Sequence, residues 1–120
     1  TALCLLRHET GTKSGYLGTS RAPYDTWTWS EVGLRIGGPE MIQLPDGRII
    51  AATRLYEPEQ RTSLSLLDPA SSTLTELVAL PSGGDTSYPG MVIHDGLLWV
   101  SYYSSHEDKT SIYLAKVKFE

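Results

Sequence analysis

A repeat constrains this chain more than any other feature. Lys13-Ser14-Gly15-Tyr16-Leu17, Arg61-Thr62-Ser63-Leu64 and Lys109-Thr110-Ser111-Ile112 each open an apolar stretch with a basic residue, each 48 residues from the last. The stretches ending near Arg7, Arg54 and Tyr102 keep almost the same interval. A second segment runs in step with these. Gly-Gly-Pro-Glu-Met-Ile-Gln-Leu-Pro-Asp-Gly from Gly37 parallels Tyr-Pro-Gly-Met-Val-Ile-His-Asp-Gly from Tyr88, with Pro, Met and Asp-Gly recurring in register. Self-similarity at a period of about 40 to 50 residues marks a small structural unit that buries its faces against neighbouring copies of itself.

The unit is made of strands. Apolar residues do not recur at helical spacing, while Gly and Pro punctuate the chain every few residues, as in all-β proteins. Ten strands are predicted: Ala2 to His8, Gly15 to Ser20, Thr26 to Gly33, Glu40 to Leu44, Arg48 to Tyr56, Thr62 to Leu67, Thr73 to Leu80, Gly90 to His94, Leu97 to Ser104 and Ser111 to Phe119. Four strands per period is the pattern of a β-propeller blade. The expectation is an all-β propeller fragment of about three antiparallel four-stranded blades, at approximately residues 1–36, 37–81 and 82–120. The middle blade is complete. The opening blade supplies the second to fourth strands, counted outward from the axis, and the closing blade the first to third.

Composition excludes several classes of function. A formal charge of -4 offers no basic field to nucleic acid or to an anionic membrane, so neither is expected as a partner. No apolar run approaches the roughly 20 residues of a membrane-spanning helix, and 40% hydrophobic residues is an ordinary soluble balance. The compartment stays open. Cys4, the single cysteine, reads as a small hydrophobe. His8, His94 and His106 fall in different repeats without metal-ligand spacing, and no Gly-rich phosphate loop is present, so neither metal nor cofactor is expected. The chain opens without Met, as a trimmed chain would.

With the repeat come segments that resemble a family. Pro39 to Arg54 is similar to the apolar strand, Asp-Gly turn and arginine-ended strand of the sialidase (neuraminidase) superfamily, and Ser87 to Tyr103 to its tyrosine-containing first strand, Asp-Gly turn and tyrosine-ended strand. Asp25-Thr26-Trp27, following Ser20, resembles the end of a degenerate Asp box, the structural hairpin of the family's BNR repeats. The chain thus looks like the C-terminal half of a six-bladed sialidase propeller.

That resemblance implies a site. Sialidases hold an acidic sugar through arginines, whose guanidinium forks pair bidentately with a carboxylate, and attack it with a tyrosine activated by a neighbouring carboxylate. Arg54 matches the family arginine ending the second strand, Arg7 fills the same slot one repeat earlier, and Arg61 starts a third strand farther from the axis. Tyr88 aligns with the nucleophile. Its carboxylate partner is represented by Glu40, displaced by one or two residues where a one-residue shift turns a side chain to the opposite face, or by Asp85 in the tyrosine loop. Asp85 and His106 are further polar candidates for touching a ligand, His106 at a solvated loop tip over His106-Glu107-Asp108. The acid/base Asp belongs to a blade outside this chain.

Ion pairs of Arg7 with Glu9 and of Arg54 with Glu57 are the structural alternative to anion binding. For Trp27, Trp29 and Trp99, packing is favoured over sugar stacking. Three blades leave open edges, which invite pairing with another chain, and two copies about a two-fold axis would make a six-bladed ring. A homodimer is expected, the competing arrangement being a half cut from a longer chain. The functional expectation is a non-catalytic, sialidase-like half propeller that assembles into a ring and either binds an acidic sugar or serves as a scaffold alone. The alternative is an exo-glycosidase of sialidase type, with Tyr88 attacking the anomeric carbon.

Overall fold

The computed structural model describes residues 1–120 and contains nine strands and no helix. They are β1 (Ala2–Leu6), β2 (Ser14–Ser20), β3 (Thr28–Gln43), β4 (Ile49–Leu55), β5 (Arg61–Asp68), β6 (Thr73–Ala79), β7 (Ser87–His94), β8 (Leu97–Glu107) and β9 (Lys109–Val117). All neighbours pair antiparallel. Strands β1 to β6 follow one another in a single hydrogen-bonded order, and β7 to β9 form a second sheet.

Nine strands replace the ten expected because Thr26–Gly33 and Glu40–Leu44 are joined. Strand β3 runs unbroken through residues 34–39, and the pairing changes hands within it: Arg35 lies opposite Ser14 of β2, and Ile36 opposite Leu55 of β4. Gly33 and Gly38, at φ of 82° and 50°, let the strand bend without a turn. Strand β3 is therefore the outer strand of one antiparallel group and the first strand of the next. The groups hold three, four and three strand segments.

Both Asp-Gly segments make hairpin turns. Asp95 and Gly96 both have positive φ, the requirement of a two-residue type I′ turn, and His94 pairs with Leu97 across it. Around Asp46-Gly47 the loop is longer, closed by the Leu44 amide donating to the Arg48 carbonyl and the Gly47 amide to the Leu44 carbonyl, with Gly47 at φ 96°.

Alternation along the strands builds two cores. Leu5, Leu17, Ile36, Ala51 and Leu55 pack between the first and second groups, and Ile50, Ala52, Leu64, Leu98, Val100 and Tyr102 between the second and third. Adjacent Ile50 and Ala51 thus serve different cores, because β4 is covered on both faces. Burying a side chain the size of Ile50 is worth about 1.5–3 kcal/mol. The outward faces of the end groups lack such cover and expose Leu6, Trp29, Val92, Ile112 and Leu114.

Candidate functional site

The site forms where β1, β3, β4 and β7 approach one another, and Tyr56, just past β4, is its hub. Alternation along Arg54-Leu55-Tyr56 sends Leu55 into the core and leaves Arg54 and Tyr56 on the same side. The Tyr56 hydroxyl accepts from Arg54 Nη1 at 3.3 Å and from Arg7 Nη2 at 3.4 Å. Arg35 lies flat on the ring, its guanidinium carbon 3.9 Å from the ring centre. Three arginines, one just past β1, one in the middle of β3 and one near the end of β4, thus converge on one phenol.

Their other partners differ. Arg54 is buried and well paired: Nε donates to the Thr86 carbonyl at 2.7 Å, and Nη2 to Asp85 Oδ1 at 3.2 Å and the Tyr103 hydroxyl at 3.0 Å. The Tyr103 hydroxyl in turn donates to Asp85 at 2.9 Å. Burial, followed by that bond to Asp85, raises the Tyr103 pKa above the ordinary phenol value. Arg7 and Arg35 share Glu9, which accepts from Arg7 Nη2 at 2.6 Å and Arg35 Nη2 at 3.0 Å. Hydrogen bonds from Arg35 and then Arg7 hold the Glu9 carboxyl down at about 2. The side chains of Arg7 and Arg35 remain about one-third exposed, at 30% and 36%.

Tyr88 adjoins this cluster. Its ring stacks on Tyr103 with centroids 6.1 Å apart, it is 64% exposed, and its φ is 45°, in the left-handed region. The repeat explains the backbone. Gly38-Pro39 and Tyr88-Pro89 occupy corresponding places, each at a pairing irregularity in the first strand of its group, and Gly38 has a φ of 50°. Tyrosine therefore occupies a conformation that suits glycine, at a cost of order 1–3 kcal/mol. The two bulges also touch: a Cβ on Gly38 would meet Tyr88 N and Cδ1 at 3.1 Å.

Of the residues singled out from sequence, Arg7, Arg54, Asp85 and Tyr88 come together here. Arg7 pairs with Glu9 as the structural alternative supposed, while Arg54 pairs with Asp85 instead of Glu57. Arg61 is engaged elsewhere, donating to both Glu76 oxygens at 2.9 Å and to the carbonyls of Glu57 and Glu59. Glu40 is exposed, paired across from Ala52, and its carboxylate accepts from the Met41 amide. His106 is the penultimate residue of β8, beside the exposed hairpin turn at Asp108; it bonds Ser104 through Nδ1 at 2.8 Å and packs on Tyr113 with ring centroids 4.8 Å apart.

Arg35, Tyr56, Tyr103 and Glu9 were not foreseen as site residues. The Arg-x-Tyr alternation at Arg54 was a legible signal for Tyr56. Tyr103 follows from register, since Tyr102, one residue earlier, faces the opposite way and gives its hydroxyl to the Pro81 carbonyl. Nothing local marks Arg35, whose position depends on the pairing of β3 with β4.

No family model matches this chain, and no curated protein matches it. Among solved structures, one named an endo-1,4-beta-xylanase from Bacteroides thetaiotaomicron is similar, with a TM-score of 0.55 and 12% sequence identity. The likeness covers 96% of this chain and 48% of that one, so the chain spans about half the length of the structure it matches. The likeness is one of fold.

Proposed function

We propose that this chain is half of a six-bladed, sialidase-like β-propeller, with blades at about residues 1–36, 37–81 and 82–120, that forms a ring with a second copy and binds an acidic sugar without hydrolysing it. The convergence of Arg7, Arg35 and Arg54 on Tyr56 carries this reading. Guanidinium groups match a carboxylate in charge and in fork geometry. Glu9, exposed and shared by two of the arginines, occupies the place an incoming carboxylate would take. The structural neighbour is named a xylanase; here the arginines favour an acidic ligand.

The geometry around Tyr88 supports binding over turnover. A phenol needs a neighbouring carboxylate to take its proton before it can attack. The Tyr88 hydroxyl makes no hydrogen bond to a carboxylate; Asp85 is held by Arg54 and Tyr103, and Glu40 by its own strand.

Calorimetric titration with N-acetylneuraminic acid and, separately, xylobiose tests the ligand. Binding of the first alone, weakened at least about tenfold by Arg35→Ala, is expected. No binding of N-acetylneuraminic acid, or equal binding of both sugars, overturns it. Turnover of a fluorogenic sialoside, abolished by Tyr88→Phe, would replace the binding reading with the hydrolytic one. Sedimentation as a monomer at micromolar concentration would remove the second copy.

A further inference from the structure

The connection from β1 to β2, residues 7–13, carries a carboxylate onto the arginine cluster. Arg35 grips Glu9 as a fork: Nε donates to Oε2 at 3.1 Å and Nη2 to Oε1 at 3.0 Å. Arg7 adds two bonds to Oε1, from Nε at 3.1 Å and from Nη2 at 2.6 Å. Charge-assisted bonds converging on one carboxylate from two guanidinium groups are the means by which proteins hold anionic ligands. Here the anion belongs to the chain itself.

Both arginines also have a fixed partner that is not Glu9. Arg35 lies on the Tyr56 ring, and Arg7 Nη2 reaches the Tyr56 hydroxyl. Glu9 sits in a looser frame. Residues 9–13 are all exposed, and a Cβ on Gly11 would meet nothing within 4 Å. The bonds that shape the loop are local, from the Lys13 amide to the Thr10 carbonyl at 3.0 Å and between Thr10 Oγ1 and His8 Nε2 at 3.0 Å. The Glu9 side chain is already 37% exposed, so it can rotate into water without opening a packed core. Arg54, by contrast, shares its nitrogens among Thr86, Tyr56, Asp85 and Tyr103. The forks that a departing Glu9 sets free are those of Arg7 and Arg35.

We propose that Glu9 is an internal competitor: the carboxylate of an acidic ligand binds between Arg7 and Arg35 by displacing it, and the free chain holds its own site partly closed. A tethered group competes as if present at a fixed local concentration, and it lowers apparent affinity in proportion to the time it occupies the site. The proposal rests on the acidic-ligand reading of the cluster and adds how that ligand's access is regulated. Its opposite is a glutamate that positions the two arginines and whose loss weakens binding.

Acetate probes the paired arginines alone, and N-acetylneuraminic acid probes the sugar reading. The readout is the Nε–H resonances of Arg7 and Arg35 during titration of the whole protein at constant ionic strength. Glu9→Gln keeps the size of the side chain and removes its charge. It is expected to reach half-maximal shift at no more than about one-fifth of the acetate that the unaltered chain needs, the scale of an exposed ion pair removed from competition. Glu9→Ala should bind acetate at least as tightly as the unaltered chain, because Tyr56 still holds both arginines. Equal or weaker binding by Glu9→Gln, weaker binding by Glu9→Ala, or no shift in any of the three proteins overturns the proposal. The sugar is read separately. If acetate follows the expected order and N-acetylneuraminic acid binds none of the three, the competitor stands and the acidic-sugar reading falls.

Discussion

The Arg35 guanidinium lies 3.9 Å above the centre of the Tyr56 ring, the two residues facing each other one step beyond the Ile36–Leu55 pair of β3 and β4. The ring is a platform for one arginine while its hydroxyl accepts from two others. Shape and polarity of this one side chain can therefore be separated. Tyr56→Phe keeps the ring and loses two long hydrogen bonds, and should cost under about 1 kcal/mol. Tyr56→Ala removes the platform as well and should cost about 2 kcal/mol. Urea unfolding measures both, and equal losses would deny the ring its part.

Tyr88 should respond to substitution in the reverse of the usual strand order. Glycine in a strand is ordinarily less stable than alanine, but the φ of 45° at Tyr88 strains alanine and not glycine. Tyr88→Gly is expected to be more stable than Tyr88→Ala by about 1 kcal/mol. Thermal unfolding of the pair decides, and alanine proving the more stable would mean that the left-handed backbone is not kept.

Glu9 gives the chain an acid-sensitive element. Its carboxyl lies at about 2 against a model-compound value of 4.5, so the stability it contributes is complete above 4.5 and is lost as pH falls through about 2. Glu9→Gln has no such proton to take up. Urea midpoints collected across that window should fall less steeply for Glu9→Gln than for the unaltered chain; parallel slopes would remove Glu9 from the acid response.

Arg61 should separate stability from binding. Its partners Glu76, Glu57 and Glu59 all lie outside the arginine cluster, and its side chain is 19% exposed. Arg61→Ala is expected to cost about 1–2 kcal/mol in unfolding and to leave acidic-sugar affinity within about twofold. A larger change in affinity would place Arg61 in the site after all.

Local chemistry determined the all-β class, the two Asp-Gly turns and most strand positions, because two-residue alternation and positive-φ residues act over a few neighbours and are written in order along the chain. The 48-residue interval also placed Arg7 and Arg54 in corresponding slots, and both reach the cluster. Adjacency across groups was decided by tertiary structure. Arg35 joins the cluster because β3 leaves β2 and takes up β4 between Arg35 and Ile36, a change of partner that no local pattern encodes. Tyr103, in place of Tyr102, meets Arg54 because register on β8 selects the face, and a single residue reverses it.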